Sequence, residues 1–248
     1  MVRMNPTCTR IQGRKINMAA PRYAAFNADT ITFLRELKAN NNRDWFNENK
    51  SRYEELVLDV ALNFIQSMHD PLLKIAPHFT AIPKRMGGSL MRVYRDTRFS
   101  KNKTPYKTNI GIQFRHEQAK DVHSPGFYVH IDPDSVFLGA GMWRPAPEAL
   151  LGIRERITYK QAEWLRVCAE PKFKRQFRLG GEKLTRPPRG FDKEHPLIED
   201  IKRKDFIAVK NLTLEHALQP KFQQQVETAF KAATPYMRFL CKAVGVPY

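Results

Sequence analysis

The sequence has no apolar run of about 18 or more residues, the length that a membrane-spanning helix requires. It is also poor in cysteine, because Cys8, Cys168 and Cys241 are odd in number, far apart and outside any CxxC pair. We therefore expect no membrane span, no disulfide framework and no structural zinc site. The reducing cytoplasm is the expected location.

Known catalytic and nucleic-acid-binding motifs are missing as well. Gly87-Gly88 and Gly180-Gly181 lack the spacing of a Walker loop or a dinucleotide fingerprint. Ser100 lies in no GxSxG pattern, which favours a turn-forming or phosphate-contacting serine over a nucleophile. No RRM, KH, zinc-finger or basic-zipper signature is present, so sequence-specific nucleic-acid recognition has no support. His123, His130 and Asp132 fit no metal motif and are interpreted as solvent-facing polar residues, so no metal site is predicted.

Acidic residues are scarce in three segments of the chain. Residues 1–28 carry five basic residues and no acid, residues 84–120 carry ten against two, and residues 171–193 carry eight against two. The three segments sum to +19 of a total net charge of +17, so the remaining residues total −2. Such clustered positive charge attracts phosphate groups, nucleic-acid backbones or acidic lipid headgroups.

The first basic segment also lacks an apolar core of the kind that a secretory signal needs. Translation from Met18 would place the preceding residues outside the fold, and an Arg-rich, acid-poor start also resembles a transit peptide. We expect residues 1–22 to be a disordered basic N-terminal extension, followed by a single domain over residues 23–248.

Apolar spacing predicts helices at both ends of that domain. A short helix is expected after Asn27, and a longer one from Asp44 to Asp70, where Pro71 should end it. Further helices are expected after Pro145, from Lys160 to Ala169, near residues 197–203, and after Pro220. Residues 171–196 are predicted to form a long loop with at most a turn of helix.

Alternating apolar and polar residues predict strands in the middle of the chain. The four candidates are Ser89–Arg95, Thr108–Arg115, Gly126–Asp132 and Ser135–Met142, with a possible edge strand at Asp205–Asn211. A short loop joins the third and fourth candidates and predicts an antiparallel hairpin. The fold class is therefore α+β, an antiparallel meander of about four to five strands packed with N-terminal and C-terminal helices.

The densest chemistry lies in residues 92–107, hereafter the basic loop, where six basic residues are interspersed with three aromatic ones. Guanidinium groups bind phosphates or carboxylates through paired hydrogen bonds, and lysines act as mobile point charges. Asp96, surrounded by cations, is expected to stay ionised and to orient an arginine. The predicted ligand-binding residues are Arg92, Arg95, Asp96, Arg98, Ser100, Lys101, Lys103, Tyr106 and Lys107.

The string RDTRFSKNKTPYK within this loop, with NNRDWF before it and GFYVHIDPD and LGAGMWRP after it, resembles the family catalogued as domain of unknown function 2461. The resemblance runs from about Phe26 to the C-terminus and implies no activity, cofactor or catalytic residue. The motif residues that carry it are Asn41, Asn42, Trp45, Phe46, Arg92, Arg95, Asp96, Arg98, Phe99, Ser100, Lys101, Lys103, Pro105, Tyr106, Lys107, Gly141 and Trp143. Trp45 and Trp143 are expected to lie in the core.

Three functions remain open at this point. The first is binding of an anionic small molecule or a nucleic-acid backbone through the basic loop, with residues 171–193 as a second wall. The second is an enzyme acting on a phosphorylated or carboxylated small molecule, with Asp96, Tyr106 or His130 transferring protons. The third is an interaction module whose basic face meets an acidic protein.

Overall fold

The computed structural model describes residues 26–119 and 123–248. The predicted N-terminal extension, residues 1–22, lies outside the described residues. The described helices are α1 (Ala28–Ala39), α2 (Arg43–Glu48), α3 (Lys50–Tyr53), a π-helical turn (Glu54–Asp59), α4 (Val60–Ser67), α5 (His69–Ile75), α6 (Pro147–Tyr159), α7 (Gln161–Ala169), α8 (Pro171–Gln176), α9 (Ile198–Ile201), α10 (Leu214–Ala217) and α11 (Phe222–Ala243). The strands are β1 (Phe79–Thr80), β2 (Ile110–His116), β3 (Gly126–Asp132), β4 (Ser135–Met142), β5 (Arg178–Gly180) and β6 (Phe206–Leu212).

The six strands form one antiparallel sheet in the order β1-β2-β3-β4-β6-β5, which confirms the α+β class. The predicted hairpin is also confirmed, since Asp132 pairs with Ser135 at the turn between β3 and β4. One predicted position is wrong: β6 lies between β4 and β5 and is therefore interior, because the short β5 takes the edge.

Helices cover one face of this sheet. Alternate residues of β3, namely Phe127, Val129 and Ile131, are fully buried, whereas Tyr128 and His130 on the opposite face are half-buried. The long helix α11 contacts β4 and the helices α5 to α8, and it carries most of the C-terminal core. The sheet therefore has an inner face packed against helices and an outer face that bears the half-buried side chains.

The helix predicted from Asp44 to Asp70 is wrong as a single element. It is interrupted at Asn49, passes through the π-helical turn, and is followed by α5, which contains Pro71. Pro71 is the third residue of α5, where a backbone N–H would have no partner within the helix, so proline is accommodated there rather than ending the helix. Asn27 does cap α1, because its Oδ1 accepts from the Thr30 N–H at 2.9 Å.

Three further expectations need correction. Ser89–Arg95 is not a regular strand but forms two isolated bridges, Leu90 to Ile112 and Tyr94 to Tyr106. Residues 171–196 contain α8 and β5, and Phe173 of α8 and Phe177, which lies between the two elements, are buried in the core. Trp143 is 48% exposed and is not a core residue.

Candidate anion-binding site

The basic loop precedes β2 in the chain and begins beside it, near the β1 edge of the sheet. Its two ends are paired, since the Arg95 N–H donates to Pro105 O at 2.8 Å and the Lys107 N–H donates to Val93 O at 2.7 Å. The Met91 N–H likewise donates to Gly111 O at 2.9 Å, which joins the start of the loop to β2. The loop is therefore an extension of the sheet whose base is held by backbone hydrogen bonds.

Asn41 and Phe46 anchor the base of the loop to the helical layer. The Asn41 amide donates to Tyr106 O and accepts from the Tyr106 N–H, both at 3.0 Å. The Tyr106 ring stacks on Phe46 with centroids 4.0 Å apart and is only 3% exposed. Burial raises the pKa of Tyr106. The NNRDWF motif thus positions the basic loop.

A pocket of about 290 Å³ lies at this base, hereafter the cationic pocket. Its positive charges come from Lys38, Arg95 and Lys107, and its neutral polar residues include Asn102 and Asn109. No carboxylate is among the described residues that line it. The pocket therefore offers cations and neutral hydrogen-bond donors in the combination that a phosphate or carboxylate requires.

Arg95 lies between this pocket and a second one of about 290 Å³, to which Arg43 and Asn47 also contribute. Its Nη1 donates to Thr104 Oγ1 at 2.5 Å, which fixes the guanidinium at the wall of the cationic pocket. The remaining N–H groups of a guanidinium are available to a ligand when only one of its five donors is used. Arg95 is the arginine of the loop that contributes to both pockets.

Lys107 shows the electrostatic character of this region. Burial lowers its pKa, and the positive charge of Arg92 lowers it further. Within the described part of the chain, no ion pair joins an acidic side chain to Arg92, Arg95, Lys101 or Lys107. Lys38 differs, because it pairs with Asp134. A bound anion would relieve the repulsion between Lys107 and Arg92 and would favour the charged form of Lys107.

The tip of the loop has a different character. Asp96 accepts hydrogen bonds from Arg98 Nε at 3.0 Å and from Nη2 at 2.7 Å, and so orients an arginine. These bonds, together with one from the Arg98 N–H, lower the pKa of Asp96 to about 2. Lys103 Nζ donates to Thr97 O at 2.8 Å, and the Ser100 N–H donates to the same oxygen at 3.3 Å. These contacts shape the exposed turn rather than the cationic pocket.

The predicted site residues therefore fall into two groups. Arg95, Tyr106 and Lys107 line the cationic pocket, with Arg92 close enough to influence Lys107. The tip carries the other predicted residues, which are Asp96, Arg98, Ser100, Lys101 and Lys103. Phe99 at the tip is 95% exposed.

The second basic segment does not form the expected second wall of this site. Its strand β5 is the edge strand farthest from β1 and β2 in the sheet, whereas the basic loop extends from β2. Arg175 of this segment instead joins Lys210 and Lys221 in a separate pocket of about 630 Å³. The two basic regions are distinct surfaces.

Asp96, Tyr106 and His130, the three candidates for proton transfer, lie in three different environments. Asp96 is paired with Arg98 at the exposed tip, and the Tyr106 ring is buried against Phe46. His130 lies on β3, where burial lowers its pKa and its ring stacks on Phe137 with centroids 4.5 Å apart. This arrangement does not identify a general acid and base acting on one substrate.

Several pocket residues were not predicted from the sequence. Asn41 was part of the family motif but was not assigned to the site, and its two hydrogen bonds to Tyr106 link positions 65 residues apart. Lys38 comes from α1, and Asn109 follows the basic loop. Of these residues only Asn41 belongs to a motif that is recognisable in the sequence, NNRDWF. The positions of Lys38 and Asn109 in the pocket depend on the tertiary fold.

Two further features of the described residues concern metal ions and membranes. Across residues 26–119 and 123–248, no group of three or more His, Cys, Asp or Glu side chains is arranged to hold a metal ion. Over the same residues, no helix combines the length and the apolarity needed to cross a membrane.

Comparison with known proteins identifies a family. No curated protein matches the chain significantly. A family model described as "Conserved hypothetical protein (DUF2461)" matches residues 29–239, a span that includes the anchoring NNRDWF motif, the basic loop and nearly all of α11. The chain therefore belongs to the DUF2461 family of conserved hypothetical proteins.

Proposed function

We propose that this protein binds a phosphate-bearing anion in the cationic pocket. The observation that carries the proposal is the grouping of Arg95 and Lys107 around a pocket to which the described residues contribute no carboxylate. Cations held close together without acidic partners repel one another, and a bound anion removes that cost. Burial lowers the pKa of Lys107 and the positive charge of Arg92 lowers it further, and this second effect agrees with the interpretation.

The chemistry of the lining residues favours a phosphate over an apolar ligand. Arg95 offers a planar fork of donors, and Lys107 adds a point charge. The side-chain amide of Asn109 supplies a neutral donor for a remaining oxygen. The cytoplasmic location that we propose agrees with the free thiols of Cys168 and Cys241.

The test is calorimetric titration with inorganic phosphate and pyrophosphate. Arg95→Ala is expected to weaken binding about tenfold or more, since a hydrogen bond to a charged group contributes about 1.5–3 kcal/mol. Arg95→Lys, which keeps the charge but loses the fork, is expected to be intermediate. Arg166→Ala is the matched control, because Arg166 is an exposed arginine on α7 and its removal changes the net charge equally.

Two results would contradict the proposal. If Arg95→Ala and Arg166→Ala weaken binding equally, net charge alone attracts the anion and the cationic pocket is not its site. If Arg175→Ala abolishes binding while Arg95→Ala leaves it intact, the ligand occupies the separate pocket lined by Arg175 and Lys210. Thermal unfolding of each free variant distinguishes lost binding from lost folding.

The tip of the basic loop supports a second candidate, non-specific nucleic-acid binding. Phe99 is 95% exposed and its ring lies 5.8 Å from Arg98 Cζ. An exposed aromatic ring beside cations offers a surface on which a base can stack while the cations contact the backbone. No comparable observation favours an enzyme, so the enzyme alternative is ranked last.

A further inference from the structure

The outer face of the sheet carries a mostly apolar groove of about 380 Å³, hereafter the outer groove. Met91, Tyr128, Phe137 and Trp143 contribute its larger side chains, and Val209 of β6 contributes its far wall. This volume lies within the range of about 300–1,000 Å³ that is typical of small-molecule sites. An apolar, aromatic pocket with few polar groups is suited to a planar ring.

Glycines give the outer groove its depth. Gly126, Gly139 and Gly141 occupy positions on β3 and β4 where larger residues would fill the space. A Cβ added at Gly139 would lie 3.3 Å from Tyr128 Cβ, inside the region that the groove occupies. The floor of the outer groove is therefore formed by the backbone of these glycines, and its walls are formed by the neighbouring side chains.

The outer groove meets the cationic pocket at Gly111. A Cβ built on Gly111 would lie 2.8 Å from Tyr128 Oη, 3.1 Å from Met91 Sδ and 3.5 Å from Asn109 Nδ2. Tyr128 and Met91 line the outer groove, whereas Asn109 lines the cationic pocket. Residues that line the apolar cavity and a residue that lines the cationic one therefore all lie within 3.5 Å of this single point.

Polar groups lie at that boundary. Tyr128 Oη is 3.2 Å from His130 Nδ1, and Asn109 Nδ2 is 3.4 Å from the same nitrogen. These groups provide donors and acceptors between the apolar and the charged cavities. A ligand that crosses the boundary would need polar atoms between a ring and a phosphate, as the sugar of a nucleotide provides.

We infer that the two cavities form one composite site for a small nucleotide, with its aromatic heterocycle in the outer groove and its phosphate in the cationic pocket. This inference rests on the proposed function, because the phosphate is the group that the cationic pocket binds. A purely apolar ligand or an unphosphorylated ring would leave Arg95 and Lys107 without a neutralising anion. The positive charge of the adjacent pocket therefore favours a ligand that carries both a ring and a phosphate.

The experiment compares three probes on the wild-type protein: inorganic phosphate, ribose 5-phosphate and adenosine monophosphate. We expect adenosine monophosphate to bind about 10–100-fold more tightly than ribose 5-phosphate, because burial and stacking of a base contribute about 1–3 kcal/mol. The nucleotide should also change the fluorescence of Trp143, which lines the outer groove. Trp143→Phe should remove that change.

Two variants locate the ring. Gly111→Ala places a methyl group at the boundary and is expected to lower nucleotide affinity about tenfold while leaving the affinity for inorganic phosphate within about twofold. Inorganic phosphate is the control probe for this variant, because it occupies only the cationic pocket. Trp143→Ala, at a half-exposed position, tests the groove without altering the sheet backbone, and Tyr159→Ala removes an exposed aromatic elsewhere.

The outcomes separate the two proposals. Equal affinity for ribose 5-phosphate and adenosine monophosphate, with phosphate binding intact and sensitive to Arg95→Ala, would overturn the composite site alone. Binding of none of the three probes would overturn the proposed function as well. Tight binding of an oligonucleotide without binding of adenosine monophosphate would assign the surface to a polymer and also contradict the composite site.

Discussion

At the scale of single residues, Asn41 and Asn42 are neighbours with different structural roles. Asn41 is half-buried and satisfies both the N–H and the C=O of Tyr106, whereas exposed Asn42 caps α2 by accepting from the Trp45 N–H at 3.0 Å. An asparagine at position 41 can make both bonds because its amide offers a donor and an acceptor on one short side chain. The cap at Asn42 needs only an acceptor.

The same truncation at the two positions should therefore have unequal effects. Asn41→Ala leaves two backbone groups of a buried segment without partners, and we expect it to lower the free energy of unfolding by at least about 2 kcal/mol, at about 1–3 kcal/mol per group. Asn42→Ala loses one exposed cap, which costs about 1 kcal/mol. Denaturant unfolding measures both.

The ligand adds a second distinction between these variants. Because Asn41 holds the base of the loop, Asn41→Ala should also weaken phosphate binding, while Asn42→Ala should not. Equal destabilisation by the two variants, with phosphate affinity unchanged in both, would show that water replaces the Asn41 amide and that the loop does not depend on it.

At the scale of elements, Gly141 determines how closely β4 and β6 approach each other. Its φ of 131° lies in the region that favours glycine, and an added Cβ would be 2.0 Å from Phe206 O on β6. We expect Gly141→Ala to lower the free energy of unfolding by about 3 kcal/mol or more, since backbone strain and steric overlap each cost about 1–3 kcal/mol.

Gly180→Ala on β5 is the matched control for that prediction. An added Cβ at Gly180 makes ordinary contacts of 3.7–3.9 Å with side chains of β6, so the substitution should be neutral or stabilising by up to about 1 kcal/mol. Urea unfolding followed by circular dichroism compares the two variants. Similar stabilities would mean that β4 and β6 can separate at Gly141 without loss, contrary to this account.

Elements with a strong local pattern were predicted from the sequence. The alternation in β3 and the stripe of α11 each reflect one buried face, which local spacing encodes. Local sequence pattern did not predict the secondary structure of segments whose conformation depends on tertiary contacts. Residues 178–180 form a strand only because β6 pairs with them. Residues 89–95 form no regular strand, although Leu90 bridges to Ile112 of β2 and Tyr94 bridges to Tyr106.

At the scale of the whole molecule, the site was predicted in part. The basic loop was recognisable because its charge and aromatic residues are consecutive in the sequence. Its division into a cationic pocket and an exposed tip was not, because Asp96 could have neutralised any of several nearby arginines and the structure pairs it with Arg98. The outer groove was also missed, since β3, β4 and β6 each contribute only alternate residues to it.

The separation of the two basic regions predicts how a nucleic-acid polymer would interact with the protein. The strands β3, β4 and β6 lie between β2 and β5, and adjacent strands are spaced by about 4.8 Å. A short single-stranded oligonucleotide bound at Phe99 should therefore contact the cations of the loop tip and not Arg175. Each phosphate contact with a single strand contributes about 0.7 to the slope of log affinity against log salt concentration.

Fluorescence anisotropy with labelled oligothymidylate at several salt concentrations measures that slope. Arg98→Ala should reduce its magnitude by about 0.7, whereas Arg175→Ala, which removes the same charge from α8, should leave it unchanged. Adenosine monophosphate should compete only weakly, because its phosphate lies in the cationic pocket rather than at the tip. An equal reduction by Arg98→Ala and Arg175→Ala would mean that the polymer runs across both edges of the sheet, which would contradict the assignment of oligonucleotide binding to the loop tip alone.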